Sequence, residues 1–173
     1  MGWFGSRKKS VDAQVELPVE VAQQVSELGR VLKFEPCEDG FWVVACEFAL
    51  AATSTSELVV AGLWHEVQFC SWNAQSRQLV VVWVEPERPE FRAVTVSENP
   101  REFMKLVTRE VERTIVLRRQ MRVADDSVVV GLARRRLDGQ IFTTVVSRGK
   151  VTALTQEAAK VLERQLQAEL DLE

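Results

Sequence analysis

VLKFEPCEDGFWVVACEFAL, residues 31–50, marks the point at which the hydrophobic period of the chain changes from that of a helix to that of a strand. Before it, Leu17 to Leu28 reads as a short helix: Pro18 suits the first turn, Val21, Val25 and Leu28 recur at helical spacing, and Gly29 is available to end it. From Val31 the apolar residues alternate through VLKFEPC, pause at the turn-like Glu38-Asp39-Gly40, and resume in FWVVACEFAL. The even positions of that second run, Trp42, Val44, Cys46, Phe48 and Leu50, line one face. Two alternating runs around a short turn predict an antiparallel hairpin.

Outward from this hairpin, strand-like segments follow at short spacing. A polar turn at Thr53 to Ser56 leads into ELVVAGLW and HEVQFCSW, and a second turn at Asn73 to Arg77 leads into QLVVVWVE. Leu79 to Val84 is apolar on both faces, the mark of a central strand, while Pro86 and Pro89 bracket a loop before FRAVTVS. About six strands therefore precede the main helix. That helix opens with Asn99 as cap, Pro100 at the first position and Glu102 three residues after the cap. Its apolar stripe of Phe103, Met104, Val107, Val111 and Ile115 predicts an amphipathic helix from Pro100 to about Arg119.

Past Arg122 a turn at Ala124-Asp125-Asp126 leads to SVVVGLARRRL, Asp138-Gly139 and QIFTTVVS, the pattern of a two-residue hairpin. A last helix begins near Thr155, with Ala158, Ala159, Leu162, Leu166 and Leu170 on one face. The fold class is α+β: an antiparallel, strongly bent sheet or partial barrel covered by an amphipathic helix, with a C-terminal hairpin and helix. Residues 1–16 read as a flexible basic tail and 17–173 as a single α+β domain.

Composition bounds the function classes. A chain of 173 residues, 46% hydrophobic and 27% charged with 8 Gly and 5 Pro, is long enough to bury one core and has the balance of an ordinary folded protein. A net charge of −3 removes the simplest electrostatic argument for a dedicated nucleic-acid binder. Cys37, Cys46 and Cys70 form an odd set without paired spacing and read as buried thiols of a reducing, cytoplasmic compartment. No apolar run approaches the roughly 18 residues of a membrane span. The start matches the loose myristoylation pattern through Gly2 and Ser6 with Arg7, Lys8 and Lys9 behind, but bulky Trp3 and Phe4 favour a plain tail.

The segments LGRVLKFEPCEDGFWVVACEFALAAT and GLWHEVQFCSWNAQSRQLVVVW, with Trp64, Val67, Trp72 and Leu79 at the matching positions, resemble a family of uncharacterised actinobacterial proteins. The resemblance extends from about Arg30 through the helix ending near Arg119 and the hairpin containing Arg134 to Arg136, and it implies no activity. The first part is also similar to bacterial pleckstrin-homology-like domains. That similarity implies a bent antiparallel sheet of about seven strands closed by one C-terminal amphipathic helix.

Candidate chemistry is sparse. A hydrolytic site needs a base beside its nucleophile, and His65 is the one histidine, with Glu66 next to it and expected on the opposite strand face. One histidine and three scattered cysteines lack metal-ligand spacing, and the glycines form no phosphate loop, so neither metal nor cofactor is expected. The distinctive polar feature is arginine: Arg118, Arg119 and Arg122 at the expected helix end, and Arg134, Arg135 and Arg136 in the next strand, where alternation sets Arg134 and Arg136 on one face. Arg118, Arg119, Arg122, Arg134 and Arg136 are the candidate anion- or partner-binding residues. Trp42, Trp64, Trp72 and Trp83 read as core, with Trp64 and Trp72 as interface anchors should they be exposed. The functional expectation is a non-catalytic interaction module for a protein or an anionic ligand. The alternatives are an enzyme of another class and a binder of anionic membrane or nucleic acid. FRAVTVS and the hairpin around Asp138-Gly139 are candidate edges for a homodimer.

Overall fold

The alternation that begins at Val31 builds a four-stranded antiparallel meander in the computed structural model, which describes residues 15–123 and 126–171. Nearly all of the expected basic tail lies outside those residues, as do two of the three residues of the 124–126 turn. Helix α1 (Val19–Gln24) and a 3₁₀ turn at Ser26–Leu28 precede the meander, and Gly29 ends them at φ 88°. The sheet order is β1 (Val31–Pro36), β2 (Trp42–Cys46), β3 (Ala49–Thr53), β4 (Leu58–Leu63).

FWVVACEFAL was expected as one strand and is two. Ala45 pairs with Leu50, so the chain reverses at Glu47 and Phe48. Their amides leave the sheet to bond the carbonyls of Arg30 (2.9 Å) and Leu28 (3.2 Å). Trp42, Val44 and Cys46 share one face as the alternation implies, but the reversal puts Leu50 on the other face, beside Val43 and Ala45. A run apolar on both faces is therefore buried on both: Val44, Cys46 and Ala51 meet Val21 of α1 and Val25 just past its end, while Val43, Ala45 and Leu50 face the main core.

Opposite that core lies a second antiparallel sheet, in the order β5 (Val67–Asn73), β6 (Gln78–Trp83), β7 (Phe91–Val94). As expected, β6 is the central strand; it sends Leu79, Val81 and Trp83 into the core. Among the described residues seven strands precede the main helix. A 3₁₀ turn at Trp64–Glu66 separates β4 from β5 where extended chain was expected, held by the Leu63 amide donating to Glu66 Oε2 at 2.8 Å. A bridge between Cys37 and Thr95 joins the two sheets at one corner, and the sheets do not close into a barrel.

Helix α2 (Arg101–Arg113) covers this core with Phe103, Leu106, Val107 and Val111. It departs from expectation at both ends. Asn99 makes no side-chain cap; Pro100 is the capping residue, and its carbonyl accepts from Met104 at 2.9 Å. The helix stops at Arg113, six residues before Arg119, because the β-branched run Thr114-Ile115-Val116 favours extended backbone and Thr114 Oγ1 turns back onto the Val111 carbonyl at 2.7 Å. Ile115, expected at the end of the helical stripe, is instead half-buried at the start of a strand.

The remaining chain forms a third antiparallel sheet with β9 (Val128–Arg135) between β8 (Ile115–Arg122) and β10 (Ile141–Arg148), backed by helix α3 (Ala153–Leu170). The β9–β10 turn has three residues, not two: the Gly139 amide reaches the Arg136 carbonyl and Gly139 takes φ 87°. Thr152 and Thr155 cap α3 reciprocally. Leu162 and Leu166 lie over β9 so closely that a Cβ at Gly131 would sit 2.7 Å from Leu166 Cδ1.

Packing of the first two sheets depends on another close approach. The Trp83 ring lies flat on Gly62, where an added Cβ would stand 2.3 Å from Cζ3. Arg88 covers the ring from 3.8 Å, and the indole nitrogen donates to the Pro89 carbonyl at 3.1 Å. These contacts hold the ring against Gly62. Gly62→Ala is expected to lower the free energy of unfolding by about 1–3 kcal/mol, read by denaturant titration.

Candidate functional site

Strand register decides which arginines meet. Pairing across β8, β9 and β10 places side chains in rows on the face turned away from α3: Arg122, Val128 and Arg148; then Gln120, Val130 and Val146; then Arg118, Leu132 and Thr144; and last Ile115, Arg134 and Phe142. The last row rests on the body of the protein, with Phe142 edge-on to His65 at 5.8 Å between ring centroids. The first rows stand away from it. Between them and the end of β5 and α2 runs a groove of about 570 Å³, floored by Val130, Leu132, Val146 and Phe69 and walled by Arg118, Arg148 and Glu112.

Arg134 closes the inner end. It is 1% exposed, and its guanidinium donates through Nη1 to the Val67 carbonyl (2.9 Å) and Thr114 Oγ1 (3.4 Å) and through Nη2 to the Gln68 carbonyl (3.4 Å). Its buried Nε has no hydrogen-bond partner, and among the described residues no carboxylate forms an ion pair with it. Burial lowers its pKa, and Arg118 pushes the same way against the pull of Glu112. A cation so enclosed makes a positive floor.

The other candidates separate. Arg118, Arg119 and Arg122 lie in β8, not at the end of a helix, so alternation divides them. Arg118 stands on the groove wall and spans Glu112, with Nη2 at 2.9 and 3.0 Å from the two carboxylate oxygens. Arg122 shares its face beyond the groove. Arg119 points to the opposite face and pairs with Glu169 of α3 at 2.5 Å. Arg136 lies in the β9–β10 turn with its guanidinium 4.8 Å from the Phe142 ring centroid. The structure thus joins Arg118, Arg122 and Arg134 to a residue that sequence reasoning missed, Arg148. The signal for Arg148 was its register: it faces Val128, which faces Arg122, and that is visible only once residues 115–122 are known to be a strand.

His65 and Glu66 belong to a 3₁₀ turn and line a separate cavity of about 150 Å³ with Trp83, Arg88, Arg136 and Phe142. Burial lowers the His65 pKa below 6.5; Glu66 and Asp138 oppose the shift while Arg136 and Arg134 add to it. Trp64 is buried and donates to the Cys46 and Glu47 carbonyls (3.0 and 3.2 Å), and half-buried Trp72 donates to Thr95 Oγ1 (3.0 Å), so both rings pack inward. Cys37 and Cys46 are buried free thiols pushed up to about 12 and about 11 by burial; Cys70 is half-buried and also raised. Among the described residues no group of three or more His, Cys, Asp and Glu side chains is placed to hold a metal ion, and no helix is long and apolar enough to cross a membrane.

Two outcomes are expected. Arg134→Ala opens a cavity and leaves the Val67 and Gln68 carbonyls without their donor, which costs about 2–4 kcal/mol in denaturant unfolding, whereas Arg136→Ala loses one exposed cation–π contact and stays within about 1 kcal/mol of wild type. For His65, the folded pKa lies below the unfolded value, so the unfolded chain takes up its proton first as pH falls. Stability should therefore drop below about pH 6.5 and level off beneath the folded pKa, and a pH series of unfolding curves for His65→Gln should lack that component. No protein-family model and no curated protein matches this sequence, so its function is argued from this geometry.

Proposed function

We propose that this protein is a non-catalytic binding module whose ligand carries negative charge and occupies the groove between β5 and the β8–β10 sheet. The observation that carries the reading is the placement of Arg118 and Arg148 on the walls of a largely apolar groove, with Arg122 on the same sheet face beyond it and Arg134, which forms no ion pair among the described residues, beneath its inner end. Hydrogen bonds from a guanidinium group to an anion are charge-assisted and roughly twice as strong as neutral ones.

Residues 31–113 are, in this reading, a pleckstrin-homology-like unit. The support is the succession of a four-stranded and a three-stranded antiparallel sheet followed by one amphipathic helix. The β8–β10 sheet and α3 add a second wall, and the groove is built between that addition and the unit. Free buried cysteines suit a reducing, cytoplasmic setting.

The test is nuclear magnetic resonance titration of the full chain with acetate, inorganic phosphate and heparin at two salt concentrations. Amides of Val130, Leu132 and Val146 should shift with at least one anion, more weakly at high salt, and Arg118→Gln with Arg148→Gln should reduce affinity about tenfold or more. Anion-induced shifts scattered over other surfaces, or equal in the double variant, would overturn the reading. A salt slope of many released ions with heparin alone would instead mark a polyanion binder.

A further inference from the structure

We infer that the ligand of this groove is a single-headed anionic amphiphile, one acid group on a medium-length apolar body. The inference rests on the anion-binding reading and names its ligand class. The inner end supplies charge: Arg134 lies there without a carboxylate partner, and Arg118 stands beside it. Beyond it the lining is mostly apolar, with Leu132, Val130, Val146 and Phe69, the last 47% exposed in spite of its size, while Ser147 and Arg148 border the outer end. Acid at one end and hydrocarbon along the remainder satisfy both. A cavity of about 570 Å³ is of the size that holds a small organic ligand.

The same geometry disfavours an acidic peptide added as a strand. β9 is the middle strand of its sheet, with both edges already paired. At the β5 end of the groove, the Val67 and Gln68 carbonyls accept from Arg134. Main-chain pairing, the usual source of affinity for an added strand, has few free groups on this floor. A polyanion would find charge but would leave the apolar floor without a partner.

Glu112 is the built-in competitor. It holds Arg118 through both carboxylate oxygens, so an incoming acid must share or replace it. Glu112→Gln should therefore tighten binding of the acid, while Arg118→Gln should weaken it; both residues are surface-exposed, and the variants should fold as wild type does.

The experiment is calorimetric and nuclear magnetic resonance titration of the full chain with hexanoate, octanoate and decanoate below their micellar concentrations. Acetate, decanol and a glutamate-rich peptide are the controls. Expected are groove-localised shifts, affinity rising roughly two- to fourfold per added methylene, a further gain in Glu112→Gln and a tenfold or larger loss in Arg118→Gln. Acetate and decanoate binding equally at the groove would overturn the amphiphile and leave the anion reading standing. Decanol binding as well as decanoate would overturn the acid head, and with it the anion reading. Tight binding of the peptide, with weak binding of decanoate, would assign the groove to an acidic protein segment. No groove shift with any of these would overturn the amphiphile, and the anion reading would fall with it only if phosphate and heparin also left the groove unshifted.

Discussion

The guanidinium of Arg134, reaching from β9 to the Val67 and Gln68 carbonyls of β5, is the interaction on which the placement of the C-terminal sheet depends. Few other direct polar ties link β8–β10 to the first two sheets; the chain itself does so through Thr114, whose carbonyl accepts from the Arg135 amide at 2.8 Å and whose hydroxyl accepts from Arg134. Taking a cation out of water is costly, and carbonyl dipoles offset only part of that cost. What the arrangement gains is direction. Lysine, a point charge on a flexible stem, would not hold two successive carbonyls and a hydroxyl at fixed angles as a planar fork does.

Much of this architecture was legible in residue pattern. The change of period at Val31, the central position of Leu79 to Val84, the Asp138-Gly139 reversal and the apolar face of α3 all followed from alternation and turn chemistry. The failures share a cause. FWVVACEFAL and the stretch from Val111 to Leu117 are apolar enough to fit more than one template, and tertiary contacts decide between them: Glu47 and Phe48 are pulled toward Arg30 and Leu28, and Thr114 folds back on Val111. Asn99-Pro100-Glu102 carried a capping pattern that the local geometry does not use. The candidate site was half legible, because the arginine clusters stand out in the chain while their division between two sheet faces requires the β8 register.

Tryptophan accounts for the bland part of the composition. Trp64, Trp72 and Trp83 each bury a ring in or against the main core and satisfy the indole N–H with an oxygen at 3.0 to 3.2 Å, so none is left as a loose interface anchor. Two of these bonds tie segments distant in sequence, Cys46 to Trp64 and Trp72 to Thr95. These three tryptophans are framework.

Why the groove exists follows from the shape of a twisted sheet. α3 covers one face of β8–β10, and the other face must rest on a body whose nearest strand, β5, belongs to a different sheet. Strands in a sheet rotate successively by roughly 20–25°. A sheet anchored at one end, by Arg134 and Phe142, therefore departs from its support toward the other. The gap that opens exposes Val130 and Val146, and in water such a face invites association with other chains. Arg118 and Arg148 stand on the walls of this opening, and Arg122 lies on the same face beyond it. Charge at the rim of an apolar floor works against the association that the valines would otherwise favour.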